Sequence, residues 1–270
     1  MKYQDLLEDK STRLFLLLGG FFIGNALVAE FLGVKIFSVE KSLGFLPFDF
    51  TILGKEHLAF NMSAGVLNWP FVFVMTDIIN EYFGRKGVRF LSFLTAGLIG
   101  YAFLMFFLAI HLVPADFWIN SHINPNLPLE QQNIIRSKVG DYNYAFQLIF
   151  GQGLWIIGGS LCAFLLGQLV DVSVFHQIKK RTGENKIWLR STGSTLVSQL
   201  IDSYVVIFIA FYLPGKWSLV LTLSVAIMTY LYKFVMAVAL TPVIYAVHHW
   251  VDNWLGEPLA TEMKNAAHRS

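Results

Sequence analysis

Six long apolar runs, separated by compact charged or turn-rich stretches, set the pattern of this chain. They cover about 14–34, 62–83, 90–113, 144–170, 191–213 and 218–248. At ~1.5 Å per residue, each is long enough as a helix to span most or all of a hydrocarbon layer of ~30 Å. A soluble domain can hide one such helix at its centre, but not six. Helices also satisfy their own backbone groups, which lipid requires. The pattern therefore predicts an all-α membrane protein with six transmembrane helices. It divides into a tail at 1–13, a single transmembrane domain at 14–250 and a short polar tail at 251–270. The first run is longer than the core of a secretion signal and other spans follow it, so it reads as a membrane helix rather than a cleavable leader.

The connections carry their own signals. Residues 35–61 mix Pro47, Asp49, Lys55 and Glu56 with an apolar stretch at 43–53 that is too short and broken to span. That composition predicts a loop dipping into the membrane surface or packing on the helices. Residues 115–142, with Asn120, Asn124, Asn126 and Pro128, read as an exposed loop. Within 171–180, Val172, Phe175 and Ile178 recur every three residues beside His176, Lys179 and Lys180. This pattern predicts a short helix lying at the cytoplasmic interface. Pro214-Gly215 marks a turn, and Pro242 near the end of the last run leaves tilt and kink both open.

Composition agrees with the pattern: 55% of residues are hydrophobic and 14% charged, against roughly a quarter charged in soluble domains. The formal net charge of +2 is spread over short loops rather than along one face, so direct nucleic-acid binding is unsupported. Lys and Arg in the tails and in the loops after the second and fourth helices outnumber those on the other side about twofold. The basic side faces the cytoplasm, which places both termini there. The single cysteine, Cys162, excludes an intramolecular disulfide and a cysteine metal cluster, and is expected to be a packed core residue. The histidines show no metal-ligand spacing, and His248-His249 reads as an interfacial pair.

Polar groups inside these runs carry the chemistry, because a charge in hydrocarbon needs a partner or water. Asp77, Asn80 and Glu81 lie at the end of the second helix, Gln199 and Asp202 in the fifth, and Lys233 in the sixth. Asp202 and Lys233 fall near the middle of their helices and can pair across the bundle, as a structural ion pair or as part of a site. Gln199 and Asp202, at i and i+3, share a face and offer donors and acceptors to a planar polar ligand. Asp77 and Glu81 are one turn apart, with Arg85 or Arg89 as compensating cations at the boundary. Gln152 interrupts the fourth helix. Trp69 and Phe71 before Asp77, or Tyr204 and Phe208 after Asp202, are candidate walls for a purine-like ring. Gly20 and Gly24 form a G-x-x-x-G spacing, a common packing pattern. Helices two and five must run in opposite directions, and each carries polar residues around an acid. That arrangement raises a 3+3 inverted repeat, a frequent basis for transport sites. Neither a metal cluster nor a nucleophile–base pair emerges, so the chain reads as no enzyme. The absence of a Walker sequence argues against ATP hydrolysis by it.

At these motifs the sequence resembles the queuosine precursor transporter family, a vitamin-uptake-like family. The resemblance lies in Asn68-Trp69-Pro70-Phe71 through Thr76-Asp77, in Asn80-Glu81-Tyr82-Phe83-Gly84, and in Gly167-Gln168-Leu169-Val170-Asp171-Val172 with Val174-Phe175. It continues in Arg190-Ser191-Thr192, Ser194-Thr195, Ser198-Gln199-Leu200-Ile201-Asp202-Ser203 and Tyr232-Lys233-Phe234. The resemblance implies a six-helix fold similar to the membrane substrate-binding components of vitamin importers. It also implies import of 7-cyano-7-deazaguanine or 7-aminomethyl-7-deazaguanine across a bacterial cytoplasmic (inner) membrane. Asp77, Gln199 and Asp202 would then read the edges of the deazapurine, Lys233 would orient Asp202, and Asn80 and Glu81 would stabilise an inner gate. No cofactor is expected, while proton or sodium coupling stays open, as does a homodimer or an energising partner. The alternative is a substrate-binding membrane subunit of an ATP-driven vitamin or nucleobase importer.

Overall fold

A computed structural model describes residues 8–151, 153–182 and 186–269. Among them, five helical stretches are long and apolar enough to cross a membrane: Lys10–Leu32, Trp69–Ile110, Leu129–Thr182, Ile187–Tyr212 and Leu219–Ala239. The chain is thus an all-α membrane protein. The second and third expected runs are joined in one assigned helix of 42 residues, Trp69–Ile110.

The helices begin with α1 (Lys10–Leu32), capped by the Asp9 carboxylate, which accepts from Thr12 N–H. Between α1 and the 42-residue helix lies a small cap of strands rather than a loop. Strand β1 (Ile36–Ser38) leads into α2 (Val39–Ser42), and the chain continues through β2 (Phe50–Ile52), β3 (Lys55–Leu58) and β4 (Asn61–Ser63). Two antiparallel ladders, β1 with β4 and β2 with β3, hold it together. Buried Glu40 accepts the Phe60 N–H at 2.8 Å. The cap touches the bundle where Ser224 donates to the Ile52 carbonyl at 3.0 Å.

Helix α3 (Trp69–Ile110) is two arms, 69–83 and 85–110, broken at Gly84, whose φ of 67° and ψ of −166° are not helical. The chain folds back there. A Cβ on Gly87 would lie 2.7 Å from the Phe83 Cβ and 3.6 Å from Ile79, whereas helical neighbours four apart keep Cβ atoms ~5–6 Å from each other. Contacts with α1 give the directions. Phe15 meets both Phe83 and Phe90, Asn68 donates to Asn25, and Phe31 meets Phe106. The first arm therefore runs against α1 and the second runs with it. Only glycine occupies that φ/ψ region without strain. Gly84→Ala is accordingly expected to cost about 1–3 kcal/mol, read as a lower melting temperature of the detergent-solubilised protein. Gly97→Ala, where a Cβ meets nothing within 4 Å, is the control and is expected to be neutral or mildly stabilising.

The segment expected as an exposed loop holds α4 (Asp116–Ile119) and α5 (Leu129–Lys138), followed by α6 (Tyr142–Phe150). Helix α7 (Leu154–Thr182) packs closely on α8 (Ile187–Ile207), which ends in a π-helical turn, Phe208–Tyr212. Small residues permit that approach: a Cβ on Gly159 would sit 3.1 Å from the Val206 carbonyl, and one on Gly167 3.6 Å from the Asp202 Cβ. The last apolar run is kinked, not merely tilted, into α9 (Leu219–Ala239) and α10 (Thr241–Leu255), with Pro242 in the first turn of α10. Proline fits there because a first-turn N–H has no intrahelical acceptor.

Several expectations need correcting. The expected polar tail at 251–270 is, over residues 251–269, helical and packed on the bundle. It continues α10 and forms α11 (Glu257–Arg269), with Ala260 and Met263 in the core beside α3. Asp252 fastens it, accepting from Lys264 Nζ and from Tyr82 OH at 2.8 and 2.6 Å. Partial burial works against the Asp252 carboxylate. The hydrogen bonds and charge of Lys264 and the Tyr82 hydroxyl outweigh it and hold the carboxyl below its ordinary range. Residues 171–180 are no interfacial helix either: they extend α7, with Val172, Phe175, His176 and Lys179 all buried. A three-residue apolar spacing cannot by itself distinguish a helix on a surface from one packed on two sides. Cys162 is exposed rather than in the core. His248 is buried against Tyr82, so His248-His249 is not an interfacial pair. Gly20 and Gly24 face open space within the chain, and α1 packs instead through Gly19 against Leu91.

Candidate functional site

The faces of α3, α7 and α8 that meet at the centre are polar, and they form three layers along the bundle. The outermost is a cleft lined by Trp69, Phe73, Phe164, Gly167, Gln168, Asp171, Ser198, Gln199 and Asp202. It encloses about 250 Å³ of space not filled by atoms, part of it open to the outside. Trp69 stacks on Phe73 at 6.0 Å between ring centres and lies 5.9 Å from Phe164. The cleft is constricted to roughly one water's width, so a bicyclic ligand enters only as these side chains part. At its rim Lys233 of α9 forms an ion pair with Asp202. Buried Glu30 of α1 accepts a hydrogen bond from Ser160 on the same side of the bundle.

The middle layer is a hydroxyl-rich network around two carboxylates. Ser191, Ser194 and Ser198 recur at helical spacing on α8. Ser191 donates to Asp77, while Ser194 and Ser198 donate to Asp171 Oδ1 at 2.9 and 3.3 Å. Asn80 Nδ2 reaches Asp171 Oδ2 at 3.4 Å. Thr76 links this layer to the cleft, donating to Gln168 Oε1 at 3.3 Å and to the Val72 carbonyl at 2.9 Å. Asp77, Asn80 and Ser194 have no exposed surface.

The innermost layer is a charge cluster. Glu81 accepts from Arg190 Nε at 3.1 Å, from Arg190 Nη2 at 2.8 Å and from Lys179 Nζ at 3.1 Å. All three side chains are 1% exposed. Desolvated charges persist inside protein only when paired in this way. The two-bond Arg190 contact uses the planar fork that suits a carboxylate.

The residues singled out from sequence fall into this frame unevenly. Gln199, Asp202 and Trp69 line the cleft, and Lys233 meets Asp202. Asp77 and Asn80 lie beneath the cleft, not in it. Glu81 is buried rather than solvated, and its cations are Lys179 and Arg190, brought in from α7 and α8, and not the sequence-local Arg85 or Arg89. Tyr204 and Phe208 do not line the cleft, since Phe208 turns to Tyr212 in the π-helical turn. Phe71 is 54% exposed and points away. Gln152 lies outside the described residues. Asp171 lies one residue beyond the apolar run at 144–170 and so is absent from the site candidates drawn from that run. The signal was present in Gln168 and Asp171 at i and i+3, facing a serine every three or four residues along α8.

Buried polar layers inside a bundle of apolar helices, with a cleft at one end, fit a membrane transporter for a small molecule. The comparisons agree. The family described as "Putative vitamin uptake transporter" matches residues 63–247, which covers every helix of the central site except α1, and the chain belongs to it. A "Probable queuosine precursor transporter" of Bacillus subtilis (strain 168) is 29% identical over 208 residues, 73% of this chain and 76% of that protein. The "Queuosine precursor transporter" of Escherichia coli (strain K12) is 24% identical over 194 residues, 70% and 74% of the two chains. A "Probable queuosine precursor transporter" of Haemophilus influenzae is 23% identical over 189 residues, 68% of each. No solved structure matches. The chain is thus a multi-pass membrane transporter of this family, similar to these queuosine precursor transporters, and not an enzyme. Nothing in these relatives favours a subunit of an ATP-driven importer.

Proposed function

We propose that this protein imports 7-deazaguanine precursors of queuosine, 7-cyano-7-deazaguanine or 7-aminomethyl-7-deazaguanine, across a bacterial inner membrane. The cleft carries this reading. It places aromatic faces (Trp69, Phe73, Phe164) beside amide and carboxylate groups (Gln168, Gln199, Asp202). A deazaguanine offers a flat ring for the first set. It offers an edge of two donors, the ring N–H and exocyclic amine, for the carboxylate, and a carbonyl for an amide donor. Gln199 Oε1 is buried without a partner and supplies a further acceptor. The reversal at Gly84 supports six crossings, with 69–83 and 85–110 as separate passes. The opposed directions of 69–83 and α8, each with an acid on its polar face, fit a 3+3 inverted repeat. The basic loops support cytoplasmic termini.

Uptake of the two labelled precursors into protein-containing liposomes tests the proposal. Saturable uptake, competed by either unlabelled precursor and not by unrelated vitamins, is the expected result. Absence of saturable uptake of both, or stronger competition by a vitamin, would reject it.

A further inference from the structure

The middle layer holds more acid than its surroundings balance. Taken with the adjoining charge cluster, the buried groups among the described residues are three carboxylates, Asp77, Asp171 and Glu81, and two cations, Lys179 and Arg190. Glu81 takes hydrogen bonds from both cations. Asp77 and Asp171 are held by serine hydroxyls and the Asn80 amide, which are neutral. Two buried oxygens, Asp77 Oδ1 and Asn80 Oδ1, have no hydrogen-bond partner. They sit at i and i+3 on one face of the same helix arm.

The remaining charged and titratable groups around Asp77 do not close this gap. Apart from Glu30, which bonds Ser160 at the outer end, the buried residues of α1 are apolar. From α9, Lys233 is engaged by Asp202. His176 of α7 and His248 of α10 lie beside Lys179 and Arg190 on the inner side. An excess buried negative charge and a pair of orphaned acceptors share one remedy, a bound positive charge. A sodium ion must gather several oxygen ligands at once, whereas all but two of the carboxylate and amide oxygens here already accept hydrogen bonds. A proton needs one, and it turns an acceptor into the donor that the pair lacks.

We propose that Asp77 is the proton-coupling site of this transporter, loaded from the outside while the cleft is open outward and emptied to the cytoplasm after the bundle rearranges. The inference rests on the import function proposed above. Asp171 links the two events. It lines the cleft and belongs to the same network as Asp77, through Ser194, which also donates to the carbonyl of Ser191 at 3.1 Å, the residue whose hydroxyl donates to Asp77. A ligand that draws on Asp171 changes the repulsion felt at Asp77, and so the ease with which Asp77 holds a proton. The Glu81–Lys179–Arg190 cluster, directly inside, separates this proton from cytoplasmic water until it moves.

Two activities in proteoliposomes distinguish the claims. With an outside-acid pH gradient, the wild type is expected to accumulate labelled 7-aminomethyl- or 7-cyano-7-deazaguanine, and a sodium gradient alone is expected to do nothing. Asp77→Asn mimics the neutral form and lies outside the cleft lining. It is expected to lose gradient-driven accumulation at least about tenfold while keeping exchange of external label against internal unlabelled precursor. Accumulation by Asp77→Asn at the wild-type level, or a wild type driven by sodium and indifferent to pH, would overturn the proposal. Failure of wild-type exchange would instead overturn the import function itself. Should Asp77→Asn not fold, Ser191→Ala keeps the carboxylate and removes its hydroxyl donor. It is expected to move the midpoint of pH-dependent uptake alkaline by about half a unit or more, and an unmoved midpoint counts against the site.

Discussion

Replacing Glu81 by Gln is expected to cause the largest loss of stability of any single isosteric change in this protein. The substitution keeps size and hydrogen-bonding capacity but removes the negative charge from between Lys179 and Arg190, both 1% exposed. Two like charges then face each other in a region from which water is excluded. Breaking a buried ion pair costs about 3–5 kcal/mol, mostly from the charge left behind. A marginal total stability cannot absorb such a loss. The readouts are the monodisperse fraction after detergent extraction and the melting temperature of what remains. Arg190→Met sharpens the test: it leaves Glu81 hydrogen-bonded to Lys179, and with Asp77 taking up a proton to offset the lost positive charge it is expected to be the milder change despite deleting the larger side chain. Arg190→Lys keeps the charge but loses the two-bond fork, and should fall between wild type and Arg190→Met. If Arg190→Met were the more damaging of the two main variants, packing and not charge balance would be the dominant role of this cluster.

The same cluster shows where sequence reading reaches its limit. Charges inside apolar runs are conspicuous, so Asp77, Asp202 and Lys233 stood out. The Asp202–Lys233 partnership was legible from depth alone, because both fall mid-helix on neighbouring spans. Glu81 was also conspicuous, but its partners were not. The nearest cations in sequence, Arg85 and Arg89, lie beyond the reversal at Gly84, while the actual ones arrive from two other helices. Lys179 was hidden in a run that looked like a polar surface face, and Arg190 in what read as a basic loop. Asp171 fell just past an apolar boundary that the helix ignores. The aromatic candidates divided for a similar reason. Trp69 turns inward and Phe208 does not, a matter of helix rotation that no periodicity fixed in helices apolar nearly all round. The apolar runs themselves were legible because lipid imposes length and backbone closure on each segment independently. Which side chains meet depends on how segments dock, and only the assembled bundle records that.

Asp202 carries the largest expected functional effect. Its carboxylate lines the cleft while bonding Lys233, and the two side chains are only 15% and 9% exposed. Asp202→Asn replaces one of the two carboxylate oxygens proposed for the donor edge of the base with a donor and leaves Lys233 without its counter-charge. Truncating one member of such a pair at a binding surface costs on the order of 2–5 kcal/mol, equivalent to roughly 30-fold or more in apparent affinity. Precursor uptake by this variant is therefore expected to fall severalfold or more at concentrations that just saturate the wild type, and by about 30-fold or more well below saturation. A purely structural ion pair would give the same first result, so the second variant decides. Asp202→Asn combined with Lys233→Met removes both charges together. It should recover most of the melting temperature, since neutral replacement of a buried pair is tolerated far better than half of it. If Asp202 reads the substrate, the double variant is stable yet still fails to bind labelled 7-deazaguanine precursor. Recovery of uptake along with stability would reduce Asp202 to a strut that holds α8 against α9, and recognition would then rest on Gln168, Gln199 and Asp171.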